Sequence, residues 1–167
     1  VMLDDLVQAV QAVTGAATVL KNAGGRARAL EGLDAQSAVL VGQVPDAPVA
    51  VHMNGAIYMA DLLEGQKTGL FFDQRPNHAF AAQFARGARV LDVFSHVGGF
   101  SLAALAQGAE TALAIDGSAA ALDLARRGAD QMGQSARFTT RQGDAFEHLA
   151  ALAQETEQFD LVVCDPP

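Results

Sequence analysis

The sequence predicts an α/β fold, a parallel sheet with helical crossovers preceded by a small α+β module. Three observations predict it. From residue 89 onward, four short apolar runs alternate with three segments of helical periodicity, the pattern of parallel strands joined by right-handed crossovers. The Asn54-Gly55 dipeptide lies between two extended runs, which is the two-residue signal of a β-hairpin. An acidic residue or a glycine turn follows each of the four apolar runs, the end of a parallel sheet at which ligands bind.

Leu3, Leu6, Val7, Val10 and Val13 recur at helical spacing, and Gly15 closes that helix. Extended pieces are expected at 18–20, 39–44, 49–53 and 56–60, the last two flanking the hairpin turn. The sheet strands are expected at 89–94, 111–115, 137–140 and 159–164. Helices are expected near 100–107, 118–132 and 145–152. Runs such as Leu161-Val162-Val163 suit strands buried on both faces. The organisation predicted is a small module over 1–64, a connecting lid and leading helix over 65–87, and the sheet over 88–167.

Composition narrows the class. Half of the 167 residues are hydrophobic, enough to bury a core. No run approaches the ~18–20 apolar residues of a membrane span. The first residues carry Asp4 and Asp5 without a basic start, so no secretory signal is expected. The single cysteine, Cys164, provides no disulfide framework and no CxxC metal site. A reducing cytoplasm fits, and no metal is expected. Eleven basic and nineteen acidic residues leave a net charge of −8. A domain this acidic does not hold nucleic acid by charge alone, so any grip on RNA must come from a local patch or from other parts of a protein.

The strand Val90-Leu91-Asp92-Val93-Phe94 runs into Ser95-His96-Val97-Gly98-Gly99-Phe100, where glycines let backbone approach a ligand at a helix start. The next strand ends at Asp116. That is near the ~20-residue spacing of the acidic residue that reads ribose hydroxyls in dinucleotide sites. The full GxGxxG is missing, which argues against a nicotinamide dehydrogenase. Gly143-Asp144-Ala145-Phe146 follows the third strand, and Asp165-Pro166-Pro167 the fourth. Plainer readings stand beside these. Asp116 can cap a helix, and Gly98-Gly99 can be an ordinary turn. Arg75 can pair with Asp73. His52, His78 and His148 read as surface residues, and His96 as a loop position as much as a ligand contact. Arg126 and Arg127 read as solvent-facing. Cys164, ending an apolar strand, reads as a small buried thiol.

The combination resembles the class I S-adenosylmethionine-dependent methyltransferases, and more narrowly the family that methylates cytosine C5 in 23S ribosomal RNA. The residues that carry the resemblance are Gly65-Gln66-Lys67-Thr68-Gly69-Leu70-Phe71-Phe72-Asp73-Gln74-Arg75, Asp92-Val93-Phe94-Ser95 with Gly98-Gly99-Phe100, Ala121-Leu122-Asp123-Leu124-Ala125-Arg126, and Asp165-Pro166-Pro167. The first block, including residues 22–33 and the hairpin, also resembles that family's central module. The resemblance implies a Rossmann-like methyltransferase sheet, S-adenosyl-L-methionine as cofactor and ribosomal RNA as substrate. It implies that Asp92, Phe94 and the Ser95 to Gly99 loop with Phe100 cradle the methionine end. Asp116, with Gly117 and Ser118, would take the ribose hydroxyls. Asp144 would bond the adenine amino group, with Ala145 and Phe146 on the ring. Phe72, Gln74 and Arg75, beside Phe71, would form a lid. Asp165, Pro166 and Pro167 would line the target-base pocket. His96-Val97 stand where the family commonly has tyrosine and threonine, and Pro76 and His78 alter the segment after Arg75.

C5 methylation needs a thiolate that adds at C6, and the resemblance implies that this cysteine lies on a later strand, beyond Pro167. A methyltransferase sheet of this class has seven strands and this chain supplies four, so a truncated, inactive piece of a longer enzyme is expected. Its last strand would be an open apolar edge, available to unresolved polypeptide or to a second copy in a homodimer. Two alternatives stay open: N-methylation of an exocyclic base amine such as guanine N2, which needs no cysteine, and a cofactor-binding module without catalysis.

Overall fold

The computed structural model describes residues 2–23, 30–32, 36–63 and 69–166. Most of the Gly65-to-Arg75 motif's first half (Gly65, Gln66, Lys67 and Thr68), part of the predicted module over 22–33, and Pro167 lie outside the described residues. The chain forms two compact units, residues 1–47 and 48–167.

In the first unit, helix α1 (Met2–Thr14) buries Val7. It ends where the Gly15 N–H donates to the Gln11 carbonyl at 2.8 Å. Strands β1 (Val19–Lys21) and β2 (Ala38–Val41) pair antiparallel, with an irregularity between Val19 and Leu20.

The second unit opens with β3 (Val49–Met53) and β4 (Ala56–Ala60), paired in register from Val49–Ala60 to Met53–Ala56. Asn54 and Gly55 have φ of 53° and 77°, the left-handed pair a two-residue hairpin turn of the primed type requires. Helix α2 (Arg75–Ala82) follows, with Pro76 in its first turn, where the missing N–H costs nothing. Then come β5 (Arg89–Val93), α3 (Gly99–Ala106), β6 (Thr111–Asp116), α4 (Ala119–Gln131), β7 (Phe138–Gln142), α5 (Ala145–Gln154) and β8 (Leu161–Cys164). The four strands form one parallel sheet in the order β7-β6-β5-β8. The chain therefore builds outward from β5 on one side and returns to its other side, so the order reverses at β5.

Side chains alternate across the sheet as the strand period demands. Val90, Ala112 and Ala114 join one core with Leu102, Leu105, Leu122, Ala125 and Ala129 of α3 and α4. Leu91, Val93 and Ile115 join a second with Ala145 and Leu152 of α5. Fully burying a leucine such as Leu102 or Leu122 contributes about 1.5–3 kcal/mol. The many alanines let the helices sit close to the sheet. The hairpin, which the sequence groups with the first module, packs here instead: β4 buries Tyr58, Met59 and Ala60 and lies against α4 and α3.

Strand β8 corrects two expectations. It is not buried on both faces, because its residues alternate between half-buried and exposed, with Val162 55% exposed. Cys164 is exposed rather than a buried thiol. The reason is positional: β8 is the edge of the described sheet, hydrogen-bonded to β5 alone.

Candidate active site

A cleft of about 1080 Å³ opens at the carboxyl ends of β5, β6, β7 and β8, across the point where strand order reverses, as open α/β sheets place their ligands. Its floor is the loop between β5 and α3. Phe94, His96 and Gly98 all have left-handed backbone, at φ of 64°, 49° and 80°. For Phe94 and His96 this costs about 1–3 kcal/mol each, and such strain is kept where surrounding structure enforces it. The enforcing bonds are visible. Ser95 N–H donates to the Ile115 carbonyl at 3.0 Å and Gly98 N–H to the Ser95 carbonyl at 2.8 Å. His96 N–H donates to Asp116 Oδ2 at 2.8 Å.

Both glycines of this loop are closely packed. A Cβ on Gly98 would lie 3.2 Å from both Ala125 Cβ and Leu102 Cγ, and one on Gly99 would lie 2.5 Å from His78 Nε2. His78, read from the sequence as a surface residue, is therefore buried, 7% exposed, and lines the cleft. Its ring meets Phe100 edge-on at 4.6 Å and stacks toward Tyr58 at 6.3 Å. Burial lowers its pKa to about 4, against the opposing pull of Asp165. The Tyr58 hydroxyl donates to the Gly99 carbonyl at 3.1 Å, and burial first, then Asp92, raises its pKa.

Asp92 is 1% exposed and committed to helix α3. Its Oδ2 accepts from the Ser101 N–H at 2.9 Å and the Ser101 hydroxyl at 2.6 Å. Gly98 at the N-cap offers no side chain to the first turn, so Asp92 supplies that cap from the neighbouring strand. Burial raises its pKa from 3.8 to about 6, although the Ser101 bonds oppose the shift. A carboxyl raised in the fold binds its proton more tightly there than in the unfolded chain. Its contribution to stability is full below about pH 4 and is lost as pH rises through about 6. Asp92→Asn is expected to remove that fall while keeping an acceptor for Ser101. Urea midpoints between pH 4 and 7 check this, and an equally steep fall in the variant would assign it to another group.

Asp116 is the residue on which the cleft is built. Oδ2 holds the His96 N–H, and Oδ1 accepts from the Ser118 N–H at 2.8 Å. It does not cap helix α4; Ser118 does, accepting from the Ala121 N–H at 3.2 Å. Asp144 caps α5, with Oδ1 accepting from Phe146 and Glu147 N–H groups at 2.9 and 3.1 Å. The Gly143 N–H donates to the Asp116 carbonyl at 3.1 Å, joining the ends of β6 and β7. Asp165 N–H reaches the Val93 carbonyl at 3.4 Å, holding the turn after β8 beside the same loop. The Phe71 ring stands edge-on to His96 at 5.1 Å.

Of the residues singled out in the sequence, Gln74, Phe94, Ser95, Gly99, Phe100, Asp116, Gly117, Ser118, Asp144, Ala145, Asp165 and Pro166 line the cleft together. Phe72, Arg75, Asp92, Gly98 and Phe146 are not among the lining residues. Phe72 is exposed, and Phe146, also exposed, faces Phe94 at 6.4 Å. Tyr58, Asp61, Asp73 and His78 line it without having been singled out as site residues.

The lining carries five aspartates (Asp61, Asp73, Asp116, Asp144, Asp165) and, among the described residues, no lysine or arginine. Such a cleft favours a cation and repels a phosphate-rich ligand. The loop and first-turn amides that would hold a pyrophosphate are already taken, those of Ser95, Gly98 and Ser101 within the fold. Among the described residues no group of three His, Cys, Asp or Glu could hold a metal ion, and no helix is long and apolar enough to cross a membrane.

Residues 74–167 match a protein family described as Conserved hypothetical protein 95. The chain is 34% identical over 166 residues to Ribosomal RNA large subunit methyltransferase I of Aeromonas hydrophila, covering 98% of this chain and 42% of that protein. A candidate SAM-dependent methyltransferase from Streptococcus mutans superposes with a TM-score of 0.82 at 25% identity, covering 99% of this chain and 43% of that one. A candidate methyltransferase complexed with SAH also superposes at 0.82, with 24% identity, covering 99% and 42%. The chain thus spans about two fifths of the length of the relatives it matches.

Proposed function

The chain belongs to the Conserved hypothetical protein 95 family and has the class I methyltransferase fold, and from that premise we propose that it binds S-adenosylmethionine in the Asp116 cleft as part of an enzyme that methylates C5 of a cytosine in 23S ribosomal RNA. The observation that carries the reading is the donor set: a carboxylate fixed by two backbone amides, in a cleft of five aspartates. That set fits a cationic nucleoside better than a dinucleotide.

The fit can be followed residue by residue. Each Asp116 oxygen already accepts one N–H and retains further acceptor capacity, so two vicinal hydroxyls can bind a carboxylate that is oriented beforehand. Among the described residues only Oδ1 of Asp144 is engaged, which leaves Oδ2 to accept from an adenine amino group. Ala145 and Phe94, both lining the cleft, offer an apolar surface to the ring. Phe71, edge-on to His96, and Gln74, both lining the cleft, would serve as the lid. Asp92 acts through α3, whose first turn it secures. Bound S-adenosylmethionine supplies an electrophilic methyl group. Asp165 and Pro166, at the end of β8, line the approach of the base that receives it. Cytosine C5 needs a thiolate at C6 first. Cys164 is not among the lining residues, so on this reading Cys164 is not that thiolate. A ribosomal RNA substrate would fit a cytoplasmic protein.

The test is methyl transfer from labelled S-adenosylmethionine to 23S ribosomal RNA by the full-length protein, followed by nucleoside analysis. Labelled 5-methylcytidine is the expected product. Label on guanine N2 would replace this reading with exocyclic amine methylation. Donor binding with no label on RNA would leave a binding module.

A further inference from the structure

We propose that His148 is a positioning residue that sets the base selectivity of the methyl-donor site: it clamps the turn between β7 and α5, and the clamp holds Asp144 where it distinguishes a 6-aminopurine from a 6-oxopurine. The assignment rests on the donor-binding reading above. His148, which the sequence places at the surface, is half-buried and is not among the cleft-lining residues, so it acts through another group.

The clamp follows from where the histidine stands. His148 is the fourth residue of α5, and helical side chains point back toward the amino-terminal end. An imidazole there reaches past the cap residue Asp144 to Gln142, the last residue of β7. Its Nε2 lies 3.0 Å from the Gln142 carbonyl oxygen. A carbonyl only accepts, so Nε2 carries the hydrogen. The His148 backbone N–H donates to the Asp144 carbonyl at 3.1 Å. One residue therefore brackets Gly143 from both sides. The ring also rests against Gly143 itself. A Cβ there would lie 2.8 Å from Nε2 and 3.4 Å from Cδ2, and its φ is 148°, backbone that glycine adopts without steric cost.

What the clamp fixes is the unengaged half of Asp144. Oδ1 accepts from the Phe146 and Glu147 N–H groups, so the direction of Oδ2 follows the backbone of this turn. The turn is tied on its other side by the Gly143 N–H, which donates to the Asp116 carbonyl at 3.1 Å. Asp116 for the ribose and Asp144 for the base are thus held at a set spacing, and His148 is the side chain that closes the linkage. An ionised carboxylate only accepts. Held in one place, it takes a hydrogen bond from a 6-amino group and repels a 6-oxo group, whose oxygen is also an acceptor. A turn free to shift can bring the carboxylate to the N1–H that a 6-oxopurine carries, and the selectivity falls.

S-inosylhomocysteine differs from S-adenosylhomocysteine in carrying a 6-oxo group and an N1–H in place of the 6-amino group. Calorimetry on the full-length protein is expected to show the wild type preferring the adenosyl ligand by at least about tenfold. In His148→Phe, which keeps a ring without a donor, the preference should shrink to within about threefold. His148→Gln, which restores an N–H, should recover most of it, and His148→Leu is the second variant should the phenylalanine not be accommodated. An unchanged ratio in the phenylalanine or leucine variant, even with both ligands weakened, overturns the assignment alone, as does a ratio that glutamine does not restore. Loss of folding in both variants also overturns it, since His148 would then support the whole unit. A wild type that binds both ligands equally removes Asp144 from the base and the assignment with it, while the Asp116 cleft still holds the donor. A wild type that binds neither overturns the donor-binding reading as well.

Discussion

Asp116→Ala is expected to raise the dissociation constant for S-adenosylmethionine by at least about tenfold. Hydrogen bonds to a charged group contribute about 1.5–3 kcal/mol, and this carboxylate would lose two ribose hydroxyls. A second effect adds to the first. The same oxygens hold the His96 and Ser118 N–H groups, and His96 is one of the residues kept in left-handed backbone. Without that anchor the loop can relax to a conformation that no longer shapes the cleft floor. Asp116→Asn, retaining one oxygen acceptor, should fall between wild type and alanine. Calorimetric titration of the three proteins checks the order, and an alanine variant with wild-type affinity would remove Asp116 from the site.

Gly128→Ala is expected to destabilise the second unit by about 1–2 kcal/mol, although alanine is the better helix former by about 1 kcal/mol. Helix α4 crosses β4 so closely that a Cβ on Gly128 would lie 2.6 Å from the Ile57 carbonyl oxygen and 2.9 Å from Leu102 Cδ1. The first of these is backbone in a paired strand, which cannot swing aside as a side-chain tip can. Overpacking of this kind costs about 1–3 kcal/mol, so the clash outweighs the propensity gain. A lower urea midpoint at an unchanged slope is the expected result. A raised midpoint would mean that the hairpin lifts from the helix at little cost.

The elements that local chemistry decides were readable from the sequence. Asn54-Gly55 located the hairpin and gave both of its strands their observed limits. The apolar runs located β5 to β8, and Asp116, Asp144 and Asp165 were correctly placed at one end of the sheet. What could not be read depends on residues far apart in the chain. His78 is buried because Gly99 has no side chain, and nothing in Arg75-Pro76-Asn77-His78 announces that. The available signal was its helical spacing from Ala82, the other buried residue of α2. Asp92 and Asp116 both stand near a strand's carboxyl end, and nothing local tells that the first is bonded to Ser101 while the second lines the cleft. Val162 and Cys164 belong to an apolar run whose composition is the same whether one face or two are covered.

The strand order also sets a timetable for folding. Strand β5 meets β6 across a short crossover, but it meets β8 only after α4, β7 and α5 have been made; the Arg89–Asp160 contact spans 71 residues. Closing a loop about three times longer adds about 1 kcal/mol of chain entropy, and during synthesis β8 is also the last of these strands to emerge. The wall that carries Asp116 is therefore expected to form before the turn carrying Asp165 docks, so that the two ends of the cleft become competent at different moments in the life of the nascent chain.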